Sequence, residues 1–250
     1  SEGNTSSYVG LTFNGIVSHK SNISITACRT GTEVFEKLTI TNCTFKNIVR
    51  TGNIAAVHLN MEEVDPLNGF TFTGNVVDGV SGSSNSAIYT TAITGNITVD
   101  DNKFNNVAYR CALLTVLFGD SVADNVSFSG NTVSNSPVAC LHIPAKAGDN
   151  ATTLKVNENV FTGFSAGFPN IFAVNIPEAA DVDLSGNYFE QDVISNPGLI
   201  CLNSYAASVE DLMNMGVFPI YKELNADGTI NTESAYTPSL TYVAQVGETK

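Results

Sequence analysis

The chain is poor in positive charge: eleven lysines and arginines stand against twenty-four aspartates and glutamates, a formal net charge of −13. So few cations cannot track a phosphate backbone or an anionic bilayer, and nucleic-acid binding is not expected. Long hydrophobic runs are missing too. The longest apolar stretch lies near Ala112–Phe118, well short of the roughly 20 residues a membrane helix needs, so membrane insertion is not expected. There is no tryptophan, and the five cysteines form no Cys-x-x-Cys pair. With only three histidines besides, no metal ligand set and no cofactor motif emerges. Few lysines, much Asn, Ser, Thr and Gly, and a first residue that is Ser1 read as a processed piece of an exported protein, located outside the cell or at its surface.

What the chain does have is a repeat. Asn75, Asn102, Asn131, Asn159 and Asn187 recur in one register, and Ile16 and Cys43 hold the same place in two earlier copies. We call this place the index. The steps between copies are 27, 32, 27, 29, 28 and 28 residues, a period that signals a solenoid. Five places before the index stand Leu11, Leu38, Phe70, Ile97, Val126, Leu154 and Val182; three before it, Phe13, Ile40, Phe72, Val99, Phe128, Val156 and Leu184. Two after it come Ser18, Phe45, Val77, Phe104, Val133, Phe161 and Phe189. Apolar residues at every second position make a half-buried strand. One copy alone cannot cover its inner side, whereas stacked copies close a continuous core.

The dipeptides Gly74-Asn75, Gly130-Asn131 and Gly186-Asn187 suit a sharp bend, where Asn tolerates left-handed dihedrals. An amide both donates and accepts, so stacked index asparagines are expected to form a ladder. About twelve residues after the index a second apolar run begins at Ala55, Ala87, Leu114, Ile143, Ile171 and Leu199. Strands joined by bends rather than helices specify an all-β parallel β-helix of about seven coils over residues 9–204, preceded by a loose or linking segment 1–8. The surplus of the long step falls in Met61–Asn68, expected to project as a loop. After Leu202 the repeat stops. Residues 205–250 read as a cap and tail, with a short helix over Ser208–Met215 covering the end of the core and an extended piece at Ala235–Val243.

The pattern resembles the right-handed parallel β-helix repeat of the pectin-lyase-like superfamily, in its bacterial extracellular form, over roughly residues 9–203. That resemblance implies a right-handed helix wound from a single chain and, on the enzymatic side, a polysaccharide lyase or glycoside hydrolase. The Arg-x-Pro-x-x-Arg pattern of the lyases is absent, as are the Asn-Thr-Asp and Gly-His-Gly motifs of polygalacturonases, so no catalytic residue carries over. Hydrolysis needs paired carboxylates across neighbouring coils; the candidates are Asp100 and Asp101, with Glu158 two coils on. Their alternative reading is acidic residues at solvated bends.

Two further columns stand out. Thr39 and Thr41 stack on Thr71 and Thr73, a Thr-x-Thr array that resembles ice-binding proteins, broken at Asp100, Lys155, Asn157 and Asp183. Cys111 and Cys140 both lie nine places after an index, so neighbouring coils bring them to one column as a disulfide or as buried thiols. The expectation for function is a non-catalytic extracellular domain serving adhesion, glycan binding or spacing. Its partners would be a glycan or host or cell-surface ligand, together with other domains of a larger protein.

Overall fold

The computed structural model describes residues 10–26, 37–49, 55–61, 66–82, 85–117, 125–136, 141–143, 145–146, 153–162, 174–176, 181–189, 200–202 and 205–206. The strands fall into three parallel stacks. In the first, β1 (Leu11–Asn14), β4 (Leu38–Thr41), β7 (Leu67–Thr73), the second half of β9 (Ser86–Asp100), β12 (Asn125–Ser127), β16 (Thr153–Lys155) and β19 (Asp181–Asp183) lie side by side. The second stack holds β2 (Val17–His19), β5 (Thr44–Val49), β8 (Val76–Ser81), β10 (Lys103–Val107), β13 (Thr132–Ser134), β17 (Val160–Thr162) and β20 (Tyr188–Phe189). The third runs through β3 (Ile23–Thr26), β6 (Ala55–Asn60), the first half of β9, β11 (Ala112–Leu117), β14 (Leu141–His142), β18 (Val174–Ile176) and β21 (Ile200–Leu202). A short strand β15 (Ala145–Lys146) also pairs β11. The chain is thus an all-β parallel solenoid, with no helix among the described residues.

Period-two alternation produces this packing. Leu38, Phe70, Ile97, Val126 and Leu154 in one column, and Ile40, Phe72, Val99, Phe128 and Val156 in the next, are fully buried. Bulk alternates as well. From the second copy to the sixth, a coil with a phenylalanine three before the index has an aliphatic two after it, and the next coil reverses the order: Ile40/Phe45, Phe72/Val77, Val99/Phe104, Phe128/Val133, Val156/Phe161. Large side chains therefore face small ones, filling the interior without crowding. The rings of Phe45, Phe72, Phe104 and Phe128 stack along the axis with centroids 6.2–6.3 Å apart. Burying each is worth about 1.5–3 kcal/mol.

The corner between the first two stacks carries the index. Asn75, Asn102, Asn131, Asn159 and Asn187 are buried, and the Nδ2 of each of the first four donates to the Oδ1 of the next at 3.0–3.1 Å. Each of those Oδ1 acceptors also takes the backbone N–H of the preceding index residue at 2.9 Å. The remaining Nδ2 proton goes to a backbone carbonyl, Val99 O for Asn131 and Phe128 O for Asn159, at 2.8 Å. Every polar position of these internal amides is filled, the condition for burying them without loss. The bend itself is made one residue earlier than the sequence suggested. Gly15, Asn42, Gly74, Asp101, Gly130, Glu158 and Gly186 all have φ between 53° and 68°, while no index asparagine does. A second left-handed column follows four places after the index, at Lys20, Asn47, Gly79, Asn106 and Asn135.

Two expectations change. From five places before the index onward the first two stacks keep the repeat register at every strand, but the third does not. Its paired column Ile23, Val57, Ile88, Ala112, Leu141, Val174 and Ile200 lies 7, 14, 13, 10, 10, 15 and 13 residues after the index, so no fixed offset of twelve holds. The number of residues between the second and third stacks differs from coil to coil and absorbs the difference. The surplus of the long step does not project at its described ends, where Met61 and Leu67 are buried and Leu67 pairs with Ile93 in β7; residues 62–65 lie outside the described residues. About four turns are complete among the described residues. β22 (Tyr205–Ala206) pairs antiparallel with β21, unlike the other strand pairs among the described residues. Residues 1–8, the expected cap helix and the extended piece at 235–243 lie outside the described residues.

Candidate functional site

The outward side of the first stack is built from two columns, four and two places before the index, because alternation sends these residues away from the core. Thr39 pairs Thr71 and Thr41 pairs Thr73 in register, with Thr12 and Asn14 before them and Thr98 and Asp100 after. The Thr-x-Thr candidates are therefore brought together, half-buried on one face. Thr41 donates to Asn14 Oδ1 at 3.3 Å. The array stops where the sequence says it should, at Asp100.

From Asp100 onward the face becomes a continuous hydrogen-bonded network. Ser127 Oγ donates to Asp100 at 2.8 Å, and the backbone N–H of Ser129 reaches the same carboxylate at 2.8 Å. Ser127 and Ser129 hydroxyls meet at 3.0 Å, Ser129 Oγ donates to Asn157 Oδ1 at 2.6 Å, and Asn157 Nδ2 donates to Asp183 at 3.2 Å. Burial raises the Asp100 pKa; the Ser127 and Ser129 bonds oppose the shift, the neighbouring Asp101 charge adds to it and Lys155 offsets it. Asp183 is lowered, chiefly by bonds from Ser185 and also by Asn157. Sequence reasoning singled out Asp100 but missed the network. The legible signal was the run Ser127, Ser129, Asn157 and Asp183 on alternate outward positions of successive coils.

Asp101 and Glu158 are not on this face. Both are exposed at the left-handed bend, two coils apart with Gly130 between them. That column alternates side chain and glycine without exception among the described coils. A Cβ on Gly130 would collide with Asp101 Oδ1, one on Gly74 would stand 2.9 Å from Asn42 Oδ1, and one on Gly186 3.2 Å from Glu158 Cγ. The two carboxylates occupy space that the glycines leave open. The three catalytic candidates thus split, one into a hydroxyl network and two into bends, and no set of three His, Cys, Asp or Glu side chains capable of holding a metal ion forms among the described residues.

On the third stack Ser24, His58, Tyr89, Leu113 and His142 share one outward column, and Asn175 pairs in register with His142. His58 meets the edge of Tyr89 with centroids 4.9 Å apart, and burial lowers its pKa. His142 is driven down to about 4 by burial and by the charge of Arg110, whose guanidinium lies 4.3 Å over the Tyr109 ring. His19 stays apart, 3.0 Å from Asn47 Nδ2. Cys111 is a buried free thiol 3.3 Å from Ser136 Oγ, and Cys140 lies outside the described residues. No protein-family model, no curated protein and no solved structure matches the chain.

Proposed function

We propose that this chain is a non-catalytic β-solenoid domain of a secreted or surface protein, a stiff scaffold whose outer first stack contacts a glycan or another surface ligand. One observation carries the reading: each carboxylate the sequence offered for catalysis has a structural occupation, Asp100 with Ser127 and Ser129, Asp101 and Glu158 at bends above glycines. A ladder of hydroxyls, amides and carboxylates repeated about every 4.8 Å offers donors and acceptors suited to a polyhydroxylated chain. The competing reading, a lyase or hydrolase, rests on the resemblance to the pectin-lyase-like superfamily. The test is a panel of pectins, alginate, glycosaminoglycans and neutral glycans, assayed for new reducing ends and unsaturated products, with a glycan array run beside it. Binding without turnover is expected. Turnover abolished by Asp100→Ala and Asp101→Ala would replace this reading with the enzymatic one.

A second reading is favoured by the registered hydroxyls of Thr39, Thr41, Thr71 and Thr73. A regular threonine lattice is suited to ordering water, so ice binding is its consequence. Thermal hysteresis of the purified chain measures this directly, and its absence removes the reading.

A further inference from the structure

The outward face of the first stack changes character at Asp100, and from there to Ser185 its hydroxyl protons are spent inside the face. Ser127 Oγ donates to the Asp100 carboxylate at 2.8 and 3.0 Å, and Ser129 Oγ donates to Asn157 Oδ1 at 2.6 Å. The 3.0 Å contact between these two hydroxyls therefore has no proton left to fill it. The Ser185 hydroxyl and N–H both go to Asp183, and Asn157 Nδ2 joins them. What the face keeps is room to accept. An ionised carboxylate has about four acceptor positions; Asp100 is met by two donors and Asp183 by three. Both remain partly open to solvent. The charge has the same bias. Lys155, in register between Ser127 and Asp183, is one cation against two carboxylates, with Asp101 and Glu158 exposed at the bend beside them. The whole chain, at −13, has the same sign.

We propose that the ligand of this half of the face is an uncharged glycan, an extended chain of neutral sugars crossing β9, β12, β16 and β19 with its hydroxyls donating to Asp100 and Asp183. The inference rests on the reading of the first stack as a ligand-contacting face and adds the class of ligand. A sugar hydroxyl brings the proton that the face lacks, and accepts in turn from the Asn157 amide or the Lys155 ammonium. Coils about 4.8 Å apart present one such row per strand, near the length of one sugar unit in an extended chain. A uronate or sulfate group brings acceptors and negative charge to a face that already has both, and that juxtaposition selects against it.

The probes are cellohexaose, mannohexaose, xylohexaose and hexagalacturonate, each titrated calorimetrically into the full chain. A chelator is present throughout, so that no divalent cation bridges acid to acid. Saturable binding of a neutral hexamer at one per chain is expected, with hexagalacturonate weaker by about tenfold or more. The fully O-methylated form of the neutral hexamer keeps every oxygen and loses every hydroxyl proton, and no binding of it is expected. This form tests donation without altering the protein, so the result survives a variant that fails to fold. Asp100→Asn, close in shape, is expected to weaken the neutral hexamer about tenfold, with thermal unfolding checking that the variant is folded. Hexagalacturonate binding as tightly as the neutral hexamers overturns the inference and leaves the face a glycan site. Undiminished binding of the methylated form, or by folded Asp100→Asn, also overturns it, and silence toward every glycan removes both the inference and the reading beneath it.

Discussion

The index corner and the third stack are made by the same coils, yet one repeats without slip and the other slides by several residues from coil to coil. The corner is a short fixed unit. A left-handed residue turns the chain, the index amide locks the turn to the coil above and below, and a second left-handed residue five places on turns it again. Beyond that point nothing fixes the chain length until the next strand must pair, so segments of unequal length are accommodated there. Periodicity in this solenoid belongs to one corner rather than to the whole coil.

If the corner sets the register, breaking the ladder is the most damaging change. Asn131→Ala removes the acceptor of Asn102 N and Nδ2 and the donor to Val99 O, leaving buried groups without partners. Each such group costs about 1–3 kcal/mol, so a loss of about 3–5 kcal/mol is expected by denaturant unfolding. A loss no larger than that of a surface substitution would mean that the ladder follows the register instead of fixing it.

Next comes the bend column. Gly130→Ala puts a Cβ where Asp101 Oδ1 lies, at a φ of 64°, and is expected to cost about 1–3 kcal/mol. Asp101→Gly in the same chain removes the collision but not the dihedral strain. The double variant should therefore be less destabilised than the sum of the single ones, a coupling of about 0.5–1 kcal/mol in a thermodynamic cycle. Strict additivity would show that the alternation of glycine and side chain has no steric origin.

These two columns also mark what could be read from the chain. Index asparagines and their apolar neighbours were legible because each has a local cause, alternation or an amide, repeated at nearly constant spacing. The left-handed residues were misplaced by one position, since Gly74-Asn75 does not say which member turns, and Asp101 and Glu158 disguise the same turn as carboxylates. That disguise is why they read as catalytic candidates. The alternation of phenylalanine with Ile or Val across the core was present in the sequence, but its meaning needs the knowledge that the two columns face each other. The third stack was illegible beyond its apolar character. Its register is decided by pairing with neighbouring coils, a long-range event with no local signal, as are the closeness of Arg110 to His142 and the sharing of one column by His58 and Tyr89.

The third stack differs from the corner in another respect: it carries histidines whose pKa burial lowers. His142 is held neutral, its pKa lowered to about 4 from 6.5, with Arg110 supplying positive charge beside it and Leu113 and Asn175 as its strand neighbours. A histidine with a depressed folded pKa contributes its full stability above the unfolded value and loses it as pH falls from about 6.5 toward 4. His58, lowered by burial, acts in the same direction. The index amides do not titrate. Between pH 7 and 5, amide exchange corrected for its intrinsic pH dependence should accelerate at Leu113 and His142 before it does at Asn131 and Val133. His142→Gln should flatten the difference. Simultaneous loss of protection at both places would show that the two sides open as one unit.

The smallest effect is expected on the outward face. Thr39 and Thr71 are paired across β4 and β7 and only half-buried, and Thr→Val keeps their shape and β-branching. Replacing both should leave stability within about 0.5 kcal/mol, since neither carries the register nor fills the core. That near-neutrality makes the pair useful, because any change in ligand binding or in thermal hysteresis then reports on the face itself. A clear loss of stability would show that the outward hydroxyls share in holding the coils together, and the division between a structural corner and an available face would fail at these positions.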